Sequence, residues 1–170
     1  MLKLDNYDLK ILSAVQRDGR ISKSALAEAI GLSASPSWTR LKRLEEAGVI
    51  VAYQAKISFR TITPFASVFV EVTLKAHKHV AFQHFEECMK RTDEVVSCDA
   101  VGGGIDYMLK VVTRDIDSYQ RLIDRLLEDD IGIDRYFSYI VTRAVKEDSG
   151  KALQSLLSAT TPPSRSTATI

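Results

Sequence analysis

The stretch from Ser22 to Gly48, SKSALAEAIGLSASPSWTRLKRLEEAG, constrains this chain more than any other. Leu26, Ala27 and Ile30 recur at helical spacing, so a short helix here has one apolar face. Gly31 follows, a residue free to take positive φ, and Leu32 drops back to the apolar side. Ser33 or Ser35 can cap a second helix, and Pro36 fits its first turn, where a missing N–H costs nothing. Leu41 and Leu44 face inward. At about 100° per residue, Thr39, Arg40 and Arg43 point away from that seam. Two short helices around a glycine turn, the second presenting cations and small hydroxyls, fit a helix-turn-helix whose second helix can enter a major groove.

Charge supports this placement. Over the 170 residues the net charge is only +1. Residues 1–60 nevertheless hold ten Lys and Arg against six Asp and Glu, while residues 61–170 hold thirteen against sixteen. A basic front half and an acidic back half suit a chain that touches a polyanion with one end only. No apolar run approaches the ~18 residues of a membrane span. The start, MLKLDNYD, lacks a basic region followed by an apolar one, so a cytoplasmic protein without a membrane partner is expected. Cys88 and Cys98 have no metal-type spacing and read as two reduced, buried thiols.

Leu4 to Asp18 reads as a first helix, with Leu4, Leu9, Ile11, Leu12 and Val15 as its stripe and Asp5 as its cap. Ser22 or Ser24 opens the second helix, and Gly48 ends the third. Val49 to Ile57 then reads as a linker strand, and Arg60 to Pro64 as a linker. From Phe65 to Lys75 the period becomes two: Ala66, Val68, Val70, Val72 and Leu74 share one face. A helix over His79 to Arg91 turns Phe82, Phe85 and Met89 inward. A strand at Val95 to Val101, a turn at Gly102-Gly103-Gly104 and a strand at Tyr107 to Thr113 follow. Asp115 caps a helix over Ile116 to Glu128, with Ile116, Tyr119, Ile123 and Leu126 inward, and Ile133 to Arg143 is a last strand.

The fold class is α+β: an N-terminal three-helix helix-turn-helix domain, a linker strand, and a C-terminal ferredoxin-like βαββαβ domain. The expected domain bounds are 1–50, 51–64 for linker strand and hinge, 65–146, and a C-terminal extension over 147–170 that is expected to be mobile after 159. Val95, Tyr107, Leu109, Val111, Phe137, Tyr139 and Val141 supply more apolar surface than two helices cover. A bare sheet face packed on another subunit is therefore expected.

These motifs resemble the Lrp/AsnC family of transcriptional regulators, from about Leu4 to Lys146. The resemblance rests on LDNYDLKILSAVQRDGRIS, LAEAIGLSASPSWTRLKRLEEAGVI and GGGIDYMLKVVTRDIDSYQRLI. It implies dimers built through sheets and linker strands, often tetramers or octamers, and a small amino-acid-like effector bound between subunits near the glycine loop. That loop in the family commonly reads Gly-Asp-aromatic-Asp-Tyr. Here Gly103, Gly104, Ile105, Asp106 and Tyr107 stand in it, so the first acid and the aromatic are replaced. Thr39 also stands where many relatives carry Arg.

The candidate DNA-binding residues are thus Ser35, Ser37, Trp38, Thr39, Arg40, Lys42 and Arg43, facing double-stranded DNA. Arg40 and Arg43 are read as forking onto guanine or holding phosphate, Lys42 as a phosphate contact, and Trp38 as either core packing or DNA-facing. The candidate effector residues are Gly102, Gly103, Gly104, Asp106, Tyr107 and Ser138. Glycine amides suit a carboxylate and Asp106 suits an ammonium, although Asp106 also reads as an ordinary strand-end acid and Ser138 as an ordinary strand residue. The glycine run opens a strand and not a helix, so it is no phosphate loop. His77 and His79 read as an exposed loop pair and not as metal ligands. Neither a catalytic constellation nor a cofactor is expected. A ligand-independent DNA-binding protein and an enzyme using the ferredoxin-like domain remain as competing readings.

Overall fold

The computed structural model describes residues 3–146. They form two compact units, one up to Lys56 and the other from Ile57 to Val145. The expected extension over 147–170 lies outside the described residues.

The first unit is three helices: α1 (Asn6–Arg17), α2 (Lys23–Ile30) and α3 (Ala34–Glu46). Ile11, Leu12, Ala14 and Val15 of α1 bury against Leu26 and Ile30 of α2 and Leu41 and Leu44 of α3. Asp5 caps α1 in a reciprocal box, its carboxylate accepting from Asp8 N–H and the Asp8 carboxylate accepting from Asp5 N–H. Ser22 caps α2 by accepting from Ala25 N–H. Gly31, at φ 72°, closes α2, and Leu32 N–H returns to the Ala27 carbonyl. Ser33 stands at the N-cap of α3 without a side-chain bond to it.

One expected element is missing. Residues 51–58 form neither helix nor strand, and Val51 is 90% exposed. The alternating apolar residues are present, but a strand needs a hydrogen-bonded neighbour, and this single chain supplies none there. Tyr53 is anchored over Gly19 and onto the Glu45 carboxylate. A short helix, α4 (Phe59–Ile62), then stands where a plain linker was expected.

The second unit runs β1 (Ala66–Leu74), α5 (His79–Lys90), β2 (Val95–Ala100), β3 (Tyr107–Thr113), α6 (Ile116–Glu128) and β4 (Ile133–Ile140). The antiparallel sheet has the order β2-β3-β1-β4, the ferredoxin-like arrangement. Val68, Val70, Val72 and Leu74 pack with Tyr107, Leu109 and Val111 beneath Phe85 and Met89 of α5 and Tyr119, Leu122, Ile123 and Leu126 of α6. Ile116 is 43% exposed, so it is not part of that face. Both cysteines are free and half-buried, less covered than expected.

Register assigns the faces. Val70 pairs with Ser138 and Val72 with Tyr136, placing those β4 residues on the helix-covered side. Phe69 pairs with Tyr139 and Glu71 with Phe137, placing both aromatics on the open side. Of the residues expected to make a bare apolar face, Val95, Tyr107, Leu109 and Val111 thus belong to the covered side. The open side carries Phe69, Phe137 and Tyr139, each between 41% and 50% exposed.

Candidate nucleic-acid interface and effector loop

Helix α3 buries Ser37, Leu41 and Leu44. At 100° per residue the opposite side carries Ser35, Thr39 and Lys42, and all three are exposed. Thr39 Oγ1 donates to the Ser35 carbonyl at 3.1 Å. Ser37 was expected among the DNA-facing hydroxyls, but it is 0% exposed and its Oγ donates to the Ser33 carbonyl at 2.7 Å. A small residue one turn before Leu41 belongs to the seam, and its hydroxyl satisfies itself on the preceding turn. Trp38 lies partly buried against the helical core with Lys23 Nζ 4.3 Å and Lys42 Nζ 5.5 Å from its ring centre.

Arg40 and Arg43 do not stand free. Arg40 Nη1 lies 2.6 Å from Asp5 Oδ2 and 3.0 Å from Asp8 Oδ1, and Arg43 Nη2 lies 2.5 Å from Asp8 Oδ2. Asp8 is 0% exposed. Backbone donation from Asp8 and then the Arg40 guanidinium hold the Asp5 carboxyl below its usual range, and the same acids raise Arg40. Removing one partner of such a buried carboxylate costs about 3–5 kcal/mol. The exposed Lys42–Glu45 pair, at 2.7 Å, is of the kind worth about 0–1 kcal/mol. Asp8 thus escaped the reading of the sequence, yet its signal was there. It sits at i, with Ile11, Leu12 and Val15 at i+3, i+4 and i+7, and an acid on an apolar stripe needs a cation from elsewhere.

In the second unit, Gly102, Gly103 and Gly104 are exposed, with Gly103 at φ 140°, a conformation only glycine takes freely. Asp106 ties this loop to β1. Its N–H donates to the Val72 carbonyl at 2.9 Å, and its carboxylate accepts from Leu74 N–H at 2.8 Å. His77 Nε2 lies 3.1 Å from Asp106 Oδ1. Tyr107, expected at the effector, has its ring in the covered core, 3% exposed, with its hydroxyl donating to Glu86 at 2.8 Å. The alternation of β3 puts Tyr107 with Leu109 and Val111 and so fixes its side. Burial first, then Glu86, raises its pKa. Ser138 is hydrogen-bonded to the Tyr119 hydroxyl. A cleft of about 380 Å³ opens beside Tyr107 and Glu86, lined also by Met89, Lys90, Val95, Cys98 and Ala100. Burial pushes the Cys98 thiol up to about 11.

Comparison with known proteins follows the division into units. Residues 4–51 match a family model described as winged helix-turn-helix DNA-binding, and residues 67–150 match one described as Lrp/AsnC ligand binding domain. Over 148 residues the chain is 53% identical to the transcriptional regulatory protein DoeX of Halomonas elongata, across 87% of this chain and 94% of that one. It is 34% identical to the leucine-responsive regulatory protein of Escherichia coli, across 86% and 89%. A transcriptional regulator from Neisseria meningitidis, solved as an L-Met complex, superposes at TM-score 0.80 with 30% identity, across 85% of this chain and 94% of that one. Among the described residues, no helix is long and apolar enough to cross a membrane.

Proposed function

Because the chain belongs to the Lrp/AsnC family of transcriptional regulators, we propose that it binds double-stranded DNA through the outward side of α3 and answers to a small amino-acid-like effector. The observation that carries the DNA reading is the exposed row Ser35, Thr39 and Lys42 on the second helix of a glycine-turned pair, with Trp38 beside it. Short hydroxyls reach base edges and phosphates, and a lysine holds phosphate. Genome-wide mapping of bound sites tests this. Discrete pseudo-palindromic sites for the wild type, lost in a Thr39→Ala/Lys42→Ala variant, are expected. A wild type that enriches no DNA overturns the reading.

The effector reading draws on the exposed glycine loop, whose amides suit a carboxylate, and on Asp106 at its end, with Ser138 across β1 as a further hydroxyl. It is supported by the L-Met complex of the Neisseria relative and the leucine response in the name of the Escherichia one. Titration calorimetry against the common amino acids and their derivatives tests it. A second reading, regulation without a ligand, is favoured by one observation: both Asp106 oxygens already have partners in Leu74 N–H and His77. Binding of no amino acid selects that reading.

The protein acts as a homodimer at least, with tetramers or octamers by family likeness, in the cytoplasm and not as an enzyme. The exposed Phe69, Phe137 and Tyr139, and the apolar residues of 51–58 that join no sheet, support assembly. Light scattering that reports a particle of one 18.9 kDa chain overturns it.

A further inference from the structure

The cations around α3 divide by what neutralises them. Asp5 and Asp8 set two negative charges against Arg40 and Arg43, and Asp8 buries its side chain to 1% exposure. A guanidinium that leaves Asp8 for a phosphate strands that carboxylate in a water-poor place. Lys23 and Lys42 are different. Both are exposed and flank the Trp38 ring at 4.3 and 5.5 Å. An aromatic face attracts a cation without cancelling its charge, so the ammonium keeps its full pull on an anion. Lys42 shares its charge only with Glu45, which is itself partly in water. Lys23 has no ion pair among the described residues.

We infer that the phosphate-contacting cations of the helix-turn-helix are Lys23 and Lys42, held beside Trp38, while Asp5 and Asp8 withdraw Arg40 and Arg43 from that role. The inference rests on the DNA-binding reading above and names the part of the surface that carries its electrostatics. Arg40 and Arg43 then act as positioning residues. They brace α3 against α1, with the Arg40 guanidinium also 5.5 Å from the Tyr7 ring centre. Lys23, on α2, enters the interface although it lies outside the reading helix. The arginine content of α3 consequently overstates its charge toward DNA.

Salt dependence separates these roles, because each lost phosphate contact removes released counterions whereas a lost brace does not. The probe is a mixed-sequence duplex of about three helical turns, read by fluorescence anisotropy across a salt series, so no operator is needed. Lys23→Gln and Lys42→Gln are each expected to lower the slope of log affinity against log salt by about one per bound chain. Arg40→Gln and Arg43→Gln are expected to keep the wild-type slope and to lower the unfolding temperature. Asp5→Asn keeps a capping side chain and is the gentler probe of the same point. It is expected to steepen the slope by removing one of the two negative charges that hold Arg40 and Arg43 and leaving both arginines to Asp8, even if an arginine variant fails to fold. An unchanged slope for Lys23→Gln overturns the inference. So does an arginine variant whose slope falls as far as that of Lys42→Gln, or an Asp5→Asn variant that leaves the slope alone. A wild type with no salt-dependent binding defeats the DNA-binding reading itself. Binding with the roles exchanged defeats only this allotment.

Discussion

Asp8 in the helical unit and Asp106 in the sheet unit are carboxylates held by their own chain, with side chains 1% and 16% exposed. Their partners make them different instruments. Asp8 faces two long cationic side chains, so it governs where charge is displayed on α3. Asp106 faces the Leu74 backbone amide and one histidine, so it governs the shape of a loop. An acid paired with side chains sets electrostatics. An acid paired with backbone sets geometry, and its charge is felt only by what comes close to the loop.

The strongest challenge to that contrast is truncation of each acid. Asp8→Ala is expected to cost about 3–5 kcal/mol, since Asp5 N–H, Arg40 and Arg43 together lose three hydrogen bonds to one carboxylate. Asp106→Ala leaves the buried Leu74 amide without an acceptor, which costs about 1–3 kcal/mol. Denaturant titration measures both. The chain has a single tryptophan, Trp38, so its fluorescence reports the helical unit selectively. Equal losses at the two positions would erase the distinction.

A finer test keeps the loop and removes the charge. Asp106→Asn retains an acceptor for Leu74 N–H, so the unfolding free energy should move by less than about 1 kcal/mol. If an effector ammonium meets this residue, its affinity should fall by about 1.5–3 kcal/mol, the usual worth of a charged hydrogen bond. Calorimetry on the variant reads the difference. Equal affinity for wild type and variant would confine Asp106 to geometry alone.

The smallest effects belong to pH. Each unit has an acidic helix cap, Asp5 on α1 and Asp115 on α6. Hydrogen bonds from Ser118, reinforced by Arg114, hold Asp115 down to about 2. Its folded-state value lies below the unfolded one. Its contribution is therefore complete above the ordinary carboxylate range and is lost as pH falls through about 2. Asp5 follows the same sign. Thermal unfolding followed from neutral to acid pH should show a shallower acid limb for Asp115→Asn than for the wild type. An identical limb would remove Asp115 from the account.

What could be read in advance followed the range of the interactions concerned. Helices α1, α2 and α3 announce themselves because Ile11 and Val15, or Leu41 and Leu44, meet within one or two turns. The caps Asp5, Ser22 and Asp115 act over three residues and were equally visible. The order of elements in the sheet unit, βαββαβ, followed from the switch between periods of two and 3.6. Most of what was missed is long-range. Arg40 meets Asp8 across 32 positions, and helical spacing around α3 contains no information about α1. Residues 51–57 have a strand's alternation without a strand's neighbour. Tyr107 heads β3, and its parity with Leu109 and Val111 puts its ring in the core. The face of a strand is legible, but its partner across the sheet is not.

The strand order has a consequence in time. β1 is central, and its ladder with β4 pairs Val68 with Ile140, at the far end of the unit. The first strand made must therefore wait for the last before its second edge is satisfied. The three helices pack through contacts close in sequence, which form early and quickly. As the chain leaves the ribosome, the helical unit can complete its core while β1 still lacks a neighbour on both sides, a stretch of apolar edge that its own later synthesis must cover.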